Sequence, residues 1–285
     1  MYLESIVARH RAVAARDDRS TSDLIASCQQ LSPTRGFASR LRSDSASALA
    51  VIAEVKRKSP SKGDLWGSRP IAPLVQAYVD GGASCLSVLT DVDHFGGSPV
   101  DLAEARSITS LPVLRKDFTV SLNDVADARL IGADCVLLIA AVLSPGEMSD
   151  MVGVAREVGI EVLVETHDEA EVERSLDLGV EMIGVNQRDL VTFEVDHARG
   201  RVVALDDEPA VEQLADRLVD AGDPRDRLRA GDDAHLVGGV TRVVGLPQGV
   251  ATPPAPHVLV DPRPALAPLG EARRLLGGDA LVIVA

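Results

Sequence analysis

Positive charge is scarce in this chain: 29 lysines and arginines stand against 43 aspartates and glutamates in 285 residues, a net charge of −14. The acids are scattered rather than blocked, so the surface should repel phosphate backbones and anionic headgroups, and nucleic-acid or membrane-surface roles are disfavoured. The opening Met1-Tyr2-Leu3-Glu4-Ser5-Ile6-Val7 lacks a long apolar run and carries an acid early. It therefore reads as neither a secretory signal nor a membrane span, and a cytoplasmic protein is expected. Cysteine is limited to Cys28, Cys85 and Cys135, an odd number without ligand-like spacing. Two of them lie in apolar runs, so buried thiols are expected rather than a redox or metal role. No second histidine or cysteine stands at ligand spacing from His94 or His167, and no metal is expected.

What the chain does have is alternation. Residues 3–16 and 21–30 carry apolar positions at helical spacing, so the first 48 residues read as helices laid before the main fold. From residue 51 short apolar runs take over: Val51-Ile52-Ala53, 85–89, Pro112-Val113-Leu114, 135–139, Val162-Leu163-Val164 and 182–185, with helical patterns between them. Runs apolar at every position suit parallel strands covered on both faces, joined by right-handed crossover helices. Gly81-Gly82, Gly132, Gly159 and Gly179 each end a helical stretch just before a strand, the place for a helix-terminating glycine. A closed barrel or an open doubly wound sheet fits this pattern. The regularity of the unit favours the barrel, and the length suits one large domain. No G-x-G-x-x-G follows the first strand to support a dinucleotide site.

Each run is followed at its C-terminal end by chemically able groups: Glu54 and Lys56, Thr90 and Asp91, Arg115-Lys116-Asp117, Glu165, then Asn186 and Arg188. Barrel enzymes assemble their sites at that rim. Arginine supplies nearly every cation. The only lysines are Lys56, Lys58, Lys62 and Lys116, all just past the first or third strand. Such a chain retains lysine where a compact, deprotonatable ammonium serves as general acid or phosphate clamp. Solvated loop lysines are the bland alternative, and for Lys62 an even one. Glu54 and Glu165 end apolar runs, where burial raises a carboxyl pKa and neighbouring lysines lower it, poising an acid or base near neutrality. A structural ion pair at the rim is the competing reading. Asn186 and Arg188 could cap a turn, Ser59-Pro60-Ser61-Lys62-Gly63 is a turn, His94 reads as an ordinary loop histidine and His167 as the start of a helix.

Five ordered segments carry a resemblance: Ile52-Ala53-Glu54-Val55-Lys56-Arg57-Lys58-Ser59-Pro60-Ser61-Lys62-Gly63, Phe95-Gly96-Gly97-Ser98, Leu111-Pro112-Val113-Leu114-Arg115-Lys116-Asp117-Phe118, Val164-Glu165-Thr166-His167-Asp168-Glu169-Ala170 and Gly184-Val185-Asn186-Gln187-Arg188-Asp189-Leu190. Together they resemble the indole-3-glycerol-phosphate synthase family, from the N-terminus to Asp196. The resemblance implies an α/β fold, a (β/α)8 TIM barrel behind a helical extension, and a carboxy-lyase of tryptophan biosynthesis. Such an enzyme closes and decarboxylates 1-(2-carboxyphenylamino)-1-deoxyribulose 5-phosphate, then removes water to give indole-3-glycerol phosphate, with no organic cofactor or metal. By the same resemblance Lys116 would protonate the ketone oxygen, Glu54 and Lys56 would sit about the hydroxyls and carboxylate, and Glu165 would remove a proton during dehydration. Asn186 would hold polar groups, Phe118 would pack on the aromatic ring, and Lys58, Ser59 and Arg188 would bind substrate. A monomer taking a phosphorylated small molecule is expected.

The family also places Glu-Ser-Gly at the end of strand seven and a glycine-led phosphate turn after strand eight, and neither motif is present here. From His197 to Ala285 the chain has no lysine, serine or aromatic residue. An irregular or incomplete set of C-terminal βα units is therefore expected. In one register 257–261 is strand seven and 279–284 strand eight, leaving 197–256 as an insertion with a helix near 209–220. In the other, 201–205 and 235–239 are the two strands. The domain reading is a single barrel over 1–285, with its extension at 1–48, six βα units at 49–196 and a divergent completion at 197–285. Two alternatives to the lyase stay open: a non-catalytic or degenerate paralogue binding an anthranilate-derived ligand or a partner, and a phosphosugar isomerase on the same fold.

Overall fold

A computed structural model of the chain describes residues 2–45, 50–60, 63–186, 240–243 and 281–284. Three helices come first: α1 (Tyr2–Ala14), α2 (Thr21–Cys28) and α3 (Phe37–Ser45). The first two match the sequence reading. The third lies within the 48-residue helical stretch but has little periodic signal of its own, because a short, largely polar helix carries its apolar side chains on Phe37, Ala38 and Leu41 alone.

The main fold begins with β1 (Ala50–Val55), a small hairpin of β2 (Lys58–Ser59) and β3 (Gly63–Asp64), and α4 (Ala72–Asp80). It continues through β4 (Cys85–Leu89), α5 (Pro99–Ile108), β5 (Val113–Lys116), α6 (Leu122–Leu130), β6 (Cys135–Ile139) and α7 (Pro145–Val158). Then come β7 (Glu161–Thr166), α8 (Glu169–Asp177), β8 (Met182–Val185), β9 (Val240–Val243) and β10 (Leu281–Val284). All six apolar runs are strands, and β1, β4, β5, β6, β7 and β8 pair in parallel in that order. Every residue of β4 and β6 is buried, as a sheet covered on both faces requires. The helices start cleanly because Ser98, Ser121, Ser144 and Asp168 cap α5, α6, α7 and α8 through their side chains. Gly159, left-handed at φ +69°, ends α7 directly before β7. All three cysteines are buried free thiols, and burial pushes Cys135 well above the ordinary thiol range. No described helix is long and apolar enough to cross a membrane.

The sheet closes on itself in the order β1-β4-β5-β6-β7-β8-β10-β9. This corrects the register that made 279–284 the eighth strand. A strand does form within 279–284, but β10 occupies the seventh place, parallel to β8, and β9 fills the eighth, antiparallel to β1 and β10. Backbone pairing satisfies the open edges of β1 and β8 whichever way the added strand runs, so apolar texture alone does not fix order or direction. The segments 201–205, 209–220, 235–239 and 257–261 lie outside the described residues.

The extension touches both ends of the barrel. On the rim where the strands end, His10 of α1 bonds Asp91 just past β4 at 2.9 Å. Arg11 bonds Glu147 at 2.6 Å and the Val142 carbonyl at 3.1 Å. At the opposite end, the backbone N–H groups of Phe37 and Ala38 donate to Glu161 at the head of β7, at 3.0 and 2.6 Å. Arg35 N–H donates to Asp134 ahead of β6 at 2.8 Å. Phe37 and Leu41 are fully buried there, each contributing about 1.5–3 kcal/mol of burial energy.

Acid should loosen the rim contacts of α1. Burial pushes Asp91 up, but His10 and the side chain and backbone of His94 outweigh it and hold the carboxyl well below the usual range. Glu147 is lowered to about 2, chiefly by Arg11. Both folded-state values lie below the unfolded ones. Their contribution is therefore complete above the unfolded carboxyl range near pH 4 and is lost as pH falls through the folded values. Urea unfolding measured between about pH 5 and pH 2 is expected to lose stability less steeply in an Asp91→Asn, Glu147→Gln double variant than in the parent chain.

Candidate active site

The ends of β1, β5, β7 and β8 converge on one group of polar side chains. Lys116 Nζ at the end of β5 donates to Glu165 Oε2 of β7 at 2.6 Å, and Asn186 Nδ2, just past β8, donates to Glu165 Oε1 at 3.0 Å. Glu54 of β1 pairs with Lys56 and faces the Lys116 ammonium electrostatically. Glu165 is buried, while the other members are partly open to solvent. All five residues expected to be catalytic thus lie on one rim.

The loop leaving β1 is tied down. The Arg57 carbonyl accepts from Leu65 and Trp66 at 2.9 and 2.8 Å, and its guanidinium grips Asp101 at 2.7 and 2.8 Å. Lys58 N–H donates to the Phe95 carbonyl at 3.0 Å and its ammonium to the Asp93 carbonyl, so Lys58 joins this loop to the one after β4. Gly97 permits that loop's course: a Cβ there would overlap the Leu89 carbonyl. Ser59 is half-buried in β2. Phe118 is half-buried with Phe95 at a centroid distance of 6.4 Å and His10 at 5.4 Å. Arg188 and Lys62 lie outside the described residues.

Sequence reasoning passed over His10, whose partner Asp91 stands 81 residues away. His10, Asp91 and Asp117 bring three possible ligand atoms within 4.8 Å of one another, a grouping no local spacing could reveal. Their oxygens are already in use. Asp91 accepts from the N–H groups of His94 and Phe95 at 2.6 and 3.2 Å; Asp117 accepts from Thr90, from Arg115 at 3.1 Å and from its neighbour's N–H at 2.9 Å. Backbone donors and a guanidinium aimed at the carboxylates suit a hydrogen-bonded knot better than a cation site.

The family model for indole-3-glycerol phosphate synthase matches residues 3–215. The chain belongs to that family. An indole-3-glycerol phosphate synthase of Nocardioides sp. is 41% identical over 250 residues, covering 87% of this chain and 95% of that protein. Among solved structures, a chain of the Pyrococcus furiosus tryptophan synthase α2β2 complex aligns with TM-score 0.40 and 13% identity over 54% of this chain and 72% of its own. The 2-keto-3-deoxy-6-phosphogluconate aldolase of Zymomonas mobilis ZM4 aligns with TM-score 0.36 and 19% identity over 53% and 61%.

In this member of the indole-3-glycerol phosphate synthase family, the electrostatics of the rim follow from the ion pair. Burial pulls the Lys116 ammonium down, and the carboxylates of Glu165 and Glu54 outweigh it, leaving the pKa above the ordinary lysine value. Burial likewise pushes Glu165 up, but Lys116, His167 and Asn186 bring it below the usual carboxyl value. This departs from the expectation of a carboxyl poised near neutrality: the Lys116 ammonium at hydrogen-bond distance outweighs burial and favours the carboxylate form of Glu165. Lys116→Met is therefore expected to raise the Glu165 pKa, read as an upward shift in its side-chain carboxyl ¹³C titration. An unchanged titration would mean that Lys116 does not set this charge.

Proposed function

We propose that this indole-3-glycerol phosphate synthase family member closes the indole ring of 1-(2-carboxyphenylamino)-1-deoxyribulose 5-phosphate, acting as a carboxy-lyase in tryptophan biosynthesis. The observation that carries the assignment of roles is the Lys116–Glu165–Asn186 chain facing the Glu54–Lys56 pair. As the aryl carbon attacks the ketone, Lys116 delivers a proton to the ketone oxygen, so the developing alkoxide is neutralised as it forms. The carboxylate leaves as carbon dioxide, and its bonding pair restores the aromatic ring. The new hydroxyl then departs as water on a proton from the Lys56 ammonium, and Glu165 accepts the C–H proton released from the resulting cation. Glu54 and Lys56 bind the sugar hydroxyls and the carboxylate, Asn186 orients Glu165, and Lys58, Ser59 and Arg188 contribute to substrate binding.

Phe118 and Phe95 favour this reading over a sugar isomerase: two aromatic rings 6.4 Å apart, in the loops that follow β5 and β4 on the same rim, suit an anilino ring and have no counterpart need in a wholly aliphatic substrate. We also infer that the protein acts in the cytoplasm as a monomer, a single barrel that β9 and β10 close. Purified protein mixed with the substrate is expected to develop indole fluorescence. Lys116→Ala should lower that rate by roughly 10²- to 10⁴-fold, the usual worth of a general acid. Unchanged turnover in Lys116→Ala would sink the assignment, and folded parent protein that binds the substrate without fluorescence would favour a non-catalytic paralogue.

A further inference from the structure

His167 sits just past β7, one residue before the cap of α8, and its ring is held from one side. Its backbone N–H donates to Glu171 Oε2 at 2.7 Å, and its Nδ1 lies 3.3 Å from the same oxygen. Glu171 is itself buried and fixed by the first turn of α8, where its N–H donates to Asp168 at 2.8 Å. The other ring nitrogen, Nε2, is buried and has no hydrogen-bond partner among the described residues. It points at Glu165, 3.7 Å from Oε1. A buried nitrogen left idle beside Lys116, Glu165 and Asn186, which are all hydrogen-bonded, calls for a reason.

The reason lies in what happens to Glu165 during turnover. Its carboxylate is faced by Lys116 from β5, Asn186 from just past β8 and His167 from just past its own strand, with Glu54 on β1 and Lys56 just past it across the rim. Once Lys116 gives its proton to the substrate, that cation is gone while the carboxylate stays buried. The step that needs Glu165 as a base still lies ahead. We propose that His167 is a positioning residue for Glu165: with Nδ1–H held on the Glu171 carboxylate, the doubly protonated ring closes its Nε2–H onto Oε1 when Lys116 turns to the substrate; this rests on the reaction proposed above. The gap is about 0.5–1 Å beyond a normal N–H···O distance, a closure that a small rotation of either side chain supplies.

The test uses the full chain and three variants, His167→Phe, His167→Gln and Glu171→Gln, each checked against the parent by thermal melting. Indole fluorescence gives kcat and KM across pH. His167→Phe is expected to lower kcat roughly ten- to hundredfold with KM within about twofold, and to move the acidic limb of kcat to higher pH, because a carboxylate robbed of a donor is easier to protonate. His167→Gln, which keeps an N–H donor, should recover much of the rate, and Glu171→Gln should fall between. An unmoved acidic limb in a His167→Phe variant that melts like the parent overturns the inference. So does a His167→Gln variant as impaired as His167→Phe. If the parent chain itself shows no turnover, the reaction reading fails instead. The positioning role is then read directly from the Glu165 carboxyl ¹³C titration, which His167→Phe must still shift upward.

Discussion

A parallel sheet covered on both faces has nowhere to put polar chemistry except at the ends of its strands. In β4 and β6 every side chain is buried, so the chain changes character only where the strands stop. Lys116, Glu165 and Asn186 all occupy that boundary, and their closeness follows from the shared register of β5, β6, β7 and β8 rather than from any local motif. The same burial gives the ion pair its influence. A carboxylate withdrawn from water at the mouth of an apolar barrel responds strongly to each nearby charge, so Lys116 and His167 govern its proton affinity more than they would on an open surface.

Much of this was legible from residues alone, for identifiable reasons. Six strands are marked by apolar runs, because a doubly covered strand has no polar face to blur the signal. The concentration of lysine behind the first and third strands isolates Lys56 and Lys116 because arginine has taken the ordinary cationic positions. What escaped depends on distance in the chain or on geometry finer than spacing. His10 meets Asp91 only after the barrel brings residues 81 positions apart into contact. His167 reads as a helix start, which it nearly is; that its Nε2 faces Glu165 follows from the grip of Glu171 on the other side of the ring. The placing of β10 before β9 around the barrel depends on which edge each short strand meets, a choice that hydropathy does not record.

The helical extension links the site to the base of the barrel. Its first helix brings His10 against Phe118 and Asp91 at the rim, while its third inserts Phe37 and Leu41 beneath the sheet. Between them α2 packs along α6 and α7, with the Cys28 thiol donating to the Ala126 carbonyl at 3.4 Å. Three helices thus act as a strap from floor to mouth, so that the aromatic side of the site and the closure of the floor are built by one continuous stretch of chain.

That strap also sets an order of events during synthesis. A ribosome releases α1, α2 and α3 before any of the groups that hold them exist: Asp91, Asp134, Glu147 and Glu161 all come later. At about 5–20 residues per second, the first helix waits roughly seven to thirty seconds for the last of these partners. Isolated helices this short are marginal in water. The nascent extension therefore emerges with its apolar side chains, Phe37 and Leu41 among them, uncovered, and the interval before β7 appears is when the chain is most open to chaperones and to association with its neighbours.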